Sequence, residues 1–171
     1  MMTFPTLTRM RELQAQHDKL HHRDVNNLPD REKLRHYVFH LVKYAAGLTE
    51  RGLTEKPIEK TLADTMIIAL AMANVLERYD LEFFVQKSIL KQAEEEVSVE
   101  WLKDQILYQV GKMSKLSEGH DHMEGLNYRL EYANANAYII DAVMKYSNYC
   151  EINLLRLIQD RWNFIRENKV A

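Results

Sequence analysis

Breakers are scarce in this chain: five glycines and three prolines are spread over 171 residues. Glycine supplies left-handed backbone and proline ends regular elements, so a chain short of both is built from long elements with few turns. Apolar residues recur at helical spacing, as in Leu34, Val38, Leu41, Ala45 and Leu48. No stretch shows the alternation and turn pairs of a β-hairpin. The expected fold is all-α, a bundle of six to eight helices.

Pro5 suits a first helical turn, and Leu7, Met10, Leu13 and Leu20 follow it. This helix is expected to end near Arg23, with Asp24 to Pro29 as a loop. A second helix runs from Pro29-Asp30 to Arg51, with Gly52 as its C-terminal stop. Thr54 begins the next cap, and Pro57 opens a third helix that ends near Tyr79. Asp80 caps a fourth, with Leu81, Phe84, Val85 and Ile89 facing in, through about Glu96. Ser98 caps a fifth, to Gly119. A sixth spans Met123 to Tyr149 and a seventh Glu151 to Asn168. The chain reads as one domain, a helical N-terminus (5–29) followed by two related three-helix units in tandem (30–97 and 98–168). Each unit runs long helix, glycine-containing loop, long helix, shorter helix, and Val42 to Glu50 lines up with Val110 to Glu118.

Charge and composition exclude several classes. Lys and Arg number 23 against 25 Asp and Glu, a formal net charge of −2, so no global basic field draws DNA or RNA. Cys150 is alone, which excludes an internal disulfide and a cysteine-based zinc cluster. The longest apolar run, Met66 to Ala73, is far too short to span a membrane. Met1 to Pro5 lacks the layout of a signal peptide, and a cytoplasmic location is expected. There is no Gly-Lys-Ser/Thr run for a P-loop and no motif for Ser/His/Asp or Cys/His catalysis.

The third helix carries a more specific pattern. Leu62-Ala63-Asp64-Thr65-Met66-Ile67-Ile68-Ala69-Leu70-Ala71-Met72-Ala73-Asn74-Val75-Leu76, followed by Asp80-Leu81-Glu82, resembles the second metal-binding helix of the MazG-like all-α nucleoside triphosphate pyrophosphatases. The preceding His40-Leu41-Val42-Lys43-Tyr44-Ala45-Ala46-Gly47-Leu48 resembles the first. The resemblance runs from about Leu13 to Glu82, and more faintly to the C-terminus. It implies a helical bundle in which two acids at i, i+3 on one helix face another such pair and hold Mg²⁺ for hydrolysis between the α and β phosphates.

In this chain the first pair falls on Tyr44 and Gly47 and the second on Thr61 and Asp64. In the second unit the positions are Lys112 and Lys115, then Glu131 and Asn134. Two acids remain, so Mg²⁺ is expected only if other carboxylates complete the cage. The catalytic candidates are Asp64, Glu131 and His40. Lys112 and Lys115, standing where metal ligands belong, are candidates to receive phosphate directly, joined by Arg161, Arg166 and Lys169. His17 and His21, and His36 and His40, are i, i+4 pairs. If their helices pack antiparallel, the four come together and with Asp18 or Asp64 suit Zn²⁺, Mn²⁺ or Fe²⁺. His120-Asp121-His122-Met123-Glu124 is a second such group. Tyr128, Tyr132, Tyr138, Tyr146 and Tyr149 read as helix packing, or as a stripe for stacking a base.

Three functions fit these residues. One is a nucleotide- or partner-binding regulatory protein on a MazG-like scaffold without Mg²⁺-dependent catalysis. The second is a nucleotide pyrophosphohydrolase with a rearranged site, and the third a helical interaction module. A homodimer is expected, because Phe83, Phe84, Trp101 and Trp162 leave an apolar face to cover.

Overall fold

A computed structural model describes residues 5–78, 80–82, 85, 97–121 and 127–168. The described residues contain eight helices and no strand: α1 (Pro5–His21), α2 (Arg23–Asn26), α3 (Asp30–Gly47), α4 (Glu50–Glu55), α5 (Ile58–Val75), α6 (Val99–Asp121), α7 (Tyr128–Tyr149) and α8 (Leu154–Asn168). None of them is long and apolar enough to cross a membrane.

Four long helices close a ring in which α3 packs on α5, α5 on α7, α7 on α6 and α6 on α3. The flanking helices α1 and α8 both add to α5. Helix α5 therefore has neighbours on every side, and its residues from Thr61 to Ala73 are buried apart from Ile68. The sequence suits this position, because a helix that is apolar all round is stable only inside a bundle. Ala63, Ala69, Ala71 and Ala73 keep α5 thin, while Leu62, Met66, Leu70 and Met72 fill the space between helices.

Caps set the boundaries. Ser98 Oγ accepts from the Trp101 amide at 3.1 Å, and Asn127 Oδ1 from the Leu130 amide at 3.3 Å. Helices α5 and α7 end alike. The amides of Glu77 and Arg78 bond to the carbonyls of Asn74 and Ala73, and those of Glu151 and Ile152 to Asn148 and Ser147. Both are Schellman motifs, with Glu77 (φ 54°) and Glu151 (φ 55°) in the left-handed position that glycine usually fills.

Several expected boundaries move. The segment after Arg23 is a helical turn, α2, rather than a loop. The second expected helix stops at Gly47, not Arg51. Thr49 interrupts it, its hydroxyl accepting from the Gly52 amide at 3.2 Å, and so starts α4. Gly52 is thus inside a helix rather than at a C-terminal stop. It is needed because a Cβ there would lie 2.6 Å from the Ala46 carbonyl oxygen and 2.6 Å from Gly47 Cα. Of the fourth expected helix, Leu81 and Val85 are described and buried, while Phe83, Phe84 and Ile89 lie outside the described residues, as do Tyr79 and 122–126. Trp101 and Trp162 pack partly buried against the core. Tyr132 and Tyr146 are buried while Tyr138 and Tyr149 are exposed, so the tyrosines of α7 do not share one face.

Replacing Gly52 tests the α3–α4 approach. Alanine normally gains in a helix, by up to about 1 kcal/mol over glycine. Here its methyl group meets rigid backbone, and overpacking of this kind costs roughly 1–3 kcal/mol. Gly52→Ala is expected to lower the urea midpoint, and a midpoint equal to the parent's would show that α3 and α4 are not in close approach.

Candidate functional site

Asp64 is the one carboxylate on the buried face of α5, only 6% exposed. Both of its oxygens are taken by cations. Lys56 Nζ lies 2.6 Å from Oδ2, and Arg161 Nε 2.6 Å from Oδ1. A buried carboxylate is tolerable only with such partners, because its desolvation is not otherwise repaid. Lys56 stands in the break between α4 and α5 with extended backbone (φ −147°, ψ 126°), eight positions before its partner. Arg161 comes from α8, at the far end of the chain.

Tyr44 of α3 completes this wall. Lys43 and Lys56 each place Nζ 5.0 Å from its ring centroid. The Tyr44 hydroxyl is 3.0 Å from His40 Nδ1, and Lys43 Nζ is 3.3 Å from the same nitrogen. Burial, and then the charges of Lys43 and His36, push the His40 pKa from its ordinary 6.5 down to about 4. Burial, with the Asp64 charge added, pushes the Tyr44 phenol up. Near neutral pH the imidazole is therefore neutral and the phenol protonated. Lysine can only donate, so Nδ1 is the acceptor and the ring proton sits on Nε2.

These residues line a cavity of about 490 Å³ between α1, α3, α5 and α8. Ile67, Ile68, Ala71 and Ile165 give it apolar surface. Its charged residues are Lys43, Lys56, Lys60 and Arg161 against Asp18 and Asp64, four cations to two carboxylates. On the α1 side, buried Gln14 accepts from Trp162 Nε1 at 2.7 Å and donates from Nε2 to Asp18 Oδ1 at 2.7 Å. Tyr37 lies on the opposite side, its phenol raised by burial first and then by Asp18 and Asp30.

The expected site residues are only partly gathered here. Asp64, His36, His40 and Arg161 line the cavity. On the register taken from the metal-binding pattern, Gly47 faces Thr61, a Cβ on Gly47 falling 3.7 Å from the Thr61 side chain, and Tyr44 sits across Lys56 from Asp64. Lys112, Lys115, Glu131 and Arg166 are exposed and line no part of it. Lys112 instead lies over the ring of Tyr108, one turn earlier on its own helix. Asn134 accepts from Arg78 at 2.9 Å. Lys169 and His122 to Glu124 lie outside the described residues.

The four-histidine group does not assemble as expected. Its premise was an antiparallel α1–α3 pair, but the two helices each pack on α5 and leave the cavity between them. The His36 and His40 rings are neighbours at 4.6 Å, and the His17 and His21 rings at 4.7 Å, as i, i+4 spacing requires. The side chains that sequence reasoning did not single out are Lys43, Lys56, Lys60, Gln14 and His22. A polar Gln14 in line with Leu7 and Met10 was the one readable signal among them. Comparison with protein-family models, with characterised proteins and with solved structures finds no match for this chain.

The His40 shift has a definite pH consequence. Its pKa is lower in the folded state than the ordinary 6.5, so the unfolded chain takes up the proton first as pH falls. The stability associated with neutral His40 is complete above about pH 6.5 and is lost progressively down to about pH 4. Across that window the parent's melting temperature is expected to fall more steeply than that of His40→Gln, which cannot titrate. Parallel curves would show that His40 protonates as readily in the folded chain as in the unfolded one.

Proposed function

We propose that the chain binds a phosphorylated small molecule, a nucleotide, in the cavity between α1, α3, α5 and α8, on a MazG-like scaffold in which side-chain cations stand in for the metal. The carrying observation is the pairing of Asp64 with both Lys56 and Arg161 at 2.6 Å. The family resemblance implies carboxylates around Mg²⁺ at the positions of Tyr44, Gly47, Thr61 and Asp64. Here one carboxylate remains, and two cations occupy its oxygens. With Lys43 and Lys60 added, the cavity keeps an excess of positive charge that suits a phosphate. The apolar patch of Ile67, Ile68 and Ile165 beside it suits a base, and about 490 Å³ is within the range of small-molecule sites.

The same geometry favours binding over hydrolysis. Pyrophosphate release needs a base to activate water and a cation to neutralise developing charge. Asp64 has both oxygens engaged, and His40 Nδ1 already accepts from Tyr44 and Lys43. The two-unit reading gains some support from the matched Schellman ends of α5 and α7, each with glutamate in the left-handed position.

Ligand binding to the folded state alone raises stability, by roughly 2.7 kcal/mol at a hundred times Kd. A panel of nucleoside mono-, di- and triphosphates is expected to raise the melting temperature without Mg²⁺, while millimolar Mg²⁺ alone changes it negligibly. Lys60→Ala, which leaves the Asp64 pairs intact, is expected to weaken nucleotide binding by about tenfold, the loss of one modest charge-assisted contact. An unchanged melt across the panel would defeat the binding reading. Pyrophosphate release with Mg²⁺ that disappears in Asp64→Asn would replace it with the enzymatic one.

A further inference from the structure

We propose that His17, Asp18 and His22 bind one transition-metal ion, of the Zn²⁺, Co²⁺, Mn²⁺ or Fe²⁺ class, at the α1–α2 rim of the cavity. One ligand atom from each of the three lies within 4.8 Å of the other two. Three ligands around an ion at about 2.0–2.2 Å stand roughly 3.5 Å apart, so small rotations of the half-buried side chains close the set. Two imidazoles and one carboxylate favour a transition metal over Mg²⁺, which prefers oxygen ligands throughout.

The backbone explains how these three meet. Asp18 and His22 are i, i+4 and share a face. In an unbroken helix His17 and His22 would point about 140° apart. Helix α1 ends at His21, however, and His22 has non-helical backbone (φ −132°, ψ 45°) before α2 begins. The break brings the His22 ring to 5.6 Å from that of His17. This turn, read from sequence as the end of a helix entering a loop, is what selects His22 in place of His21, His36 and His40.

Neighbouring residues prepare the site. The Trp162 indole donates to Gln14, and Gln14 donates to Asp18 Oδ1, both at 2.7 Å, so the carboxylate is held from behind by a relay through buried Gln14 that runs to α8. The Trp162 ring stacks beside His17, with centroids 6.2 Å apart and planes inclined by 29°. Partners of this kind fix metal ligands in place and commonly carry 10–100-fold of affinity. Asp18 and His22 line the cavity, so a bound ion has protein on one side and an open coordination position towards the cavity on the other.

The test uses the whole chain and the metal alone, so it stands apart from nucleotide binding: either result can fail without the other. Co²⁺ titrated at neutral pH is expected to give visible ligand-field absorption that saturates at one equivalent, and Zn²⁺ to displace it while Mg²⁺ does not. Asp18→Asn and His22→Ala, with helix content checked by circular dichroism, are expected to abolish the band. Gln14→Leu should weaken binding by 10–100-fold, the range for supporting residues. No absorption in the parent overturns the site, as does a band that survives Asp18→Asn and His22→Ala. Loss of the band in His36→Ala would equally overturn it, by moving the ion to α3.

Discussion

Helix α5 is enclosed by α1, α3, α7 and α8, and the rest of the structure depends on how those four are held to it. Apolar packing alone is weakly directional, since alanine and leucine surfaces slide and rotate at small cost. Each neighbour is therefore also tied to α5 by a polar contact. Asn74 donates to the Arg11 carbonyl of α1 at 3.0 Å, and buried Asn136 of α7 donates to the Ala69 carbonyl at 2.8 Å. Asp64 takes Arg161 of α8, and Lys56 bridges Asp64 to the Tyr44 ring of α3. An unmade buried hydrogen bond costs about 1–3 kcal/mol, so a slipped register is penalised even where its apolar burial is unchanged.

The Asp64 contacts do more than hold a register. Replacing a buried ion pair with apolar residues is often neutral or stabilising, so the pairs are not best understood as a source of stability. A leucine in place of Asp64 would suit a packed helix and would remove the reason for Lys56 and Arg161 to turn inwards. Retaining a carboxylate and two cations at the wall of a cavity keeps charge where a ligand can reach it. Lys56 and Arg161 keep 27% and 22% of their side-chain surface, whereas Asp64 keeps 8%. The anion is sealed in, and the cations turned towards it keep part of their surface open.

The helices were legible in the sequence because breakers are few and the apolar period is regular. Errors fell where one residue type has two uses. A glycine after a helical run commonly marks a stop, whereas Gly52 is needed inside α4 because α3 passes too close for a Cβ. Glu77 and Glu151 take the left-handed position at two helix ends with no glycine to announce it. Asp64 could be singled out as an acid on an apolar helix, but its partners could not. Arg161 is 97 residues away, and Lys56 sits on the far side of Pro57, outside the periodic face. The pairing of the α1 and α3 histidines failed for a related reason: periodicity tells which face of a helix is apolar, not which helix it meets.

That failed pairing is also why there is a cavity. Two helices that pack on each other close the space between them with their apolar faces. Helix α1 spends its apolar face on α5, and α3 its own on α5 and α6, and the groups set towards the space between them are polar: Asp18 from α1 and His22 from the turn after it, His36, His40 and Lys43 from α3. A second basic cluster shows that such groups need not leave charge over. Around a smaller cavity of about 180 Å³, Arg31 and Arg35 both pair with Asp121, and Arg129 reaches Asp30 and Glu77. By lining alone that cavity has three arginines to one carboxylate, Asp30, and Asp121 and Glu77 complete the balance from outside its lining. In the larger cavity four cations meet two. In a chain whose net charge is −2, that local surplus is not a by-product of composition. It is a property of where the fold sets Lys43, Lys56, Lys60 and Arg161.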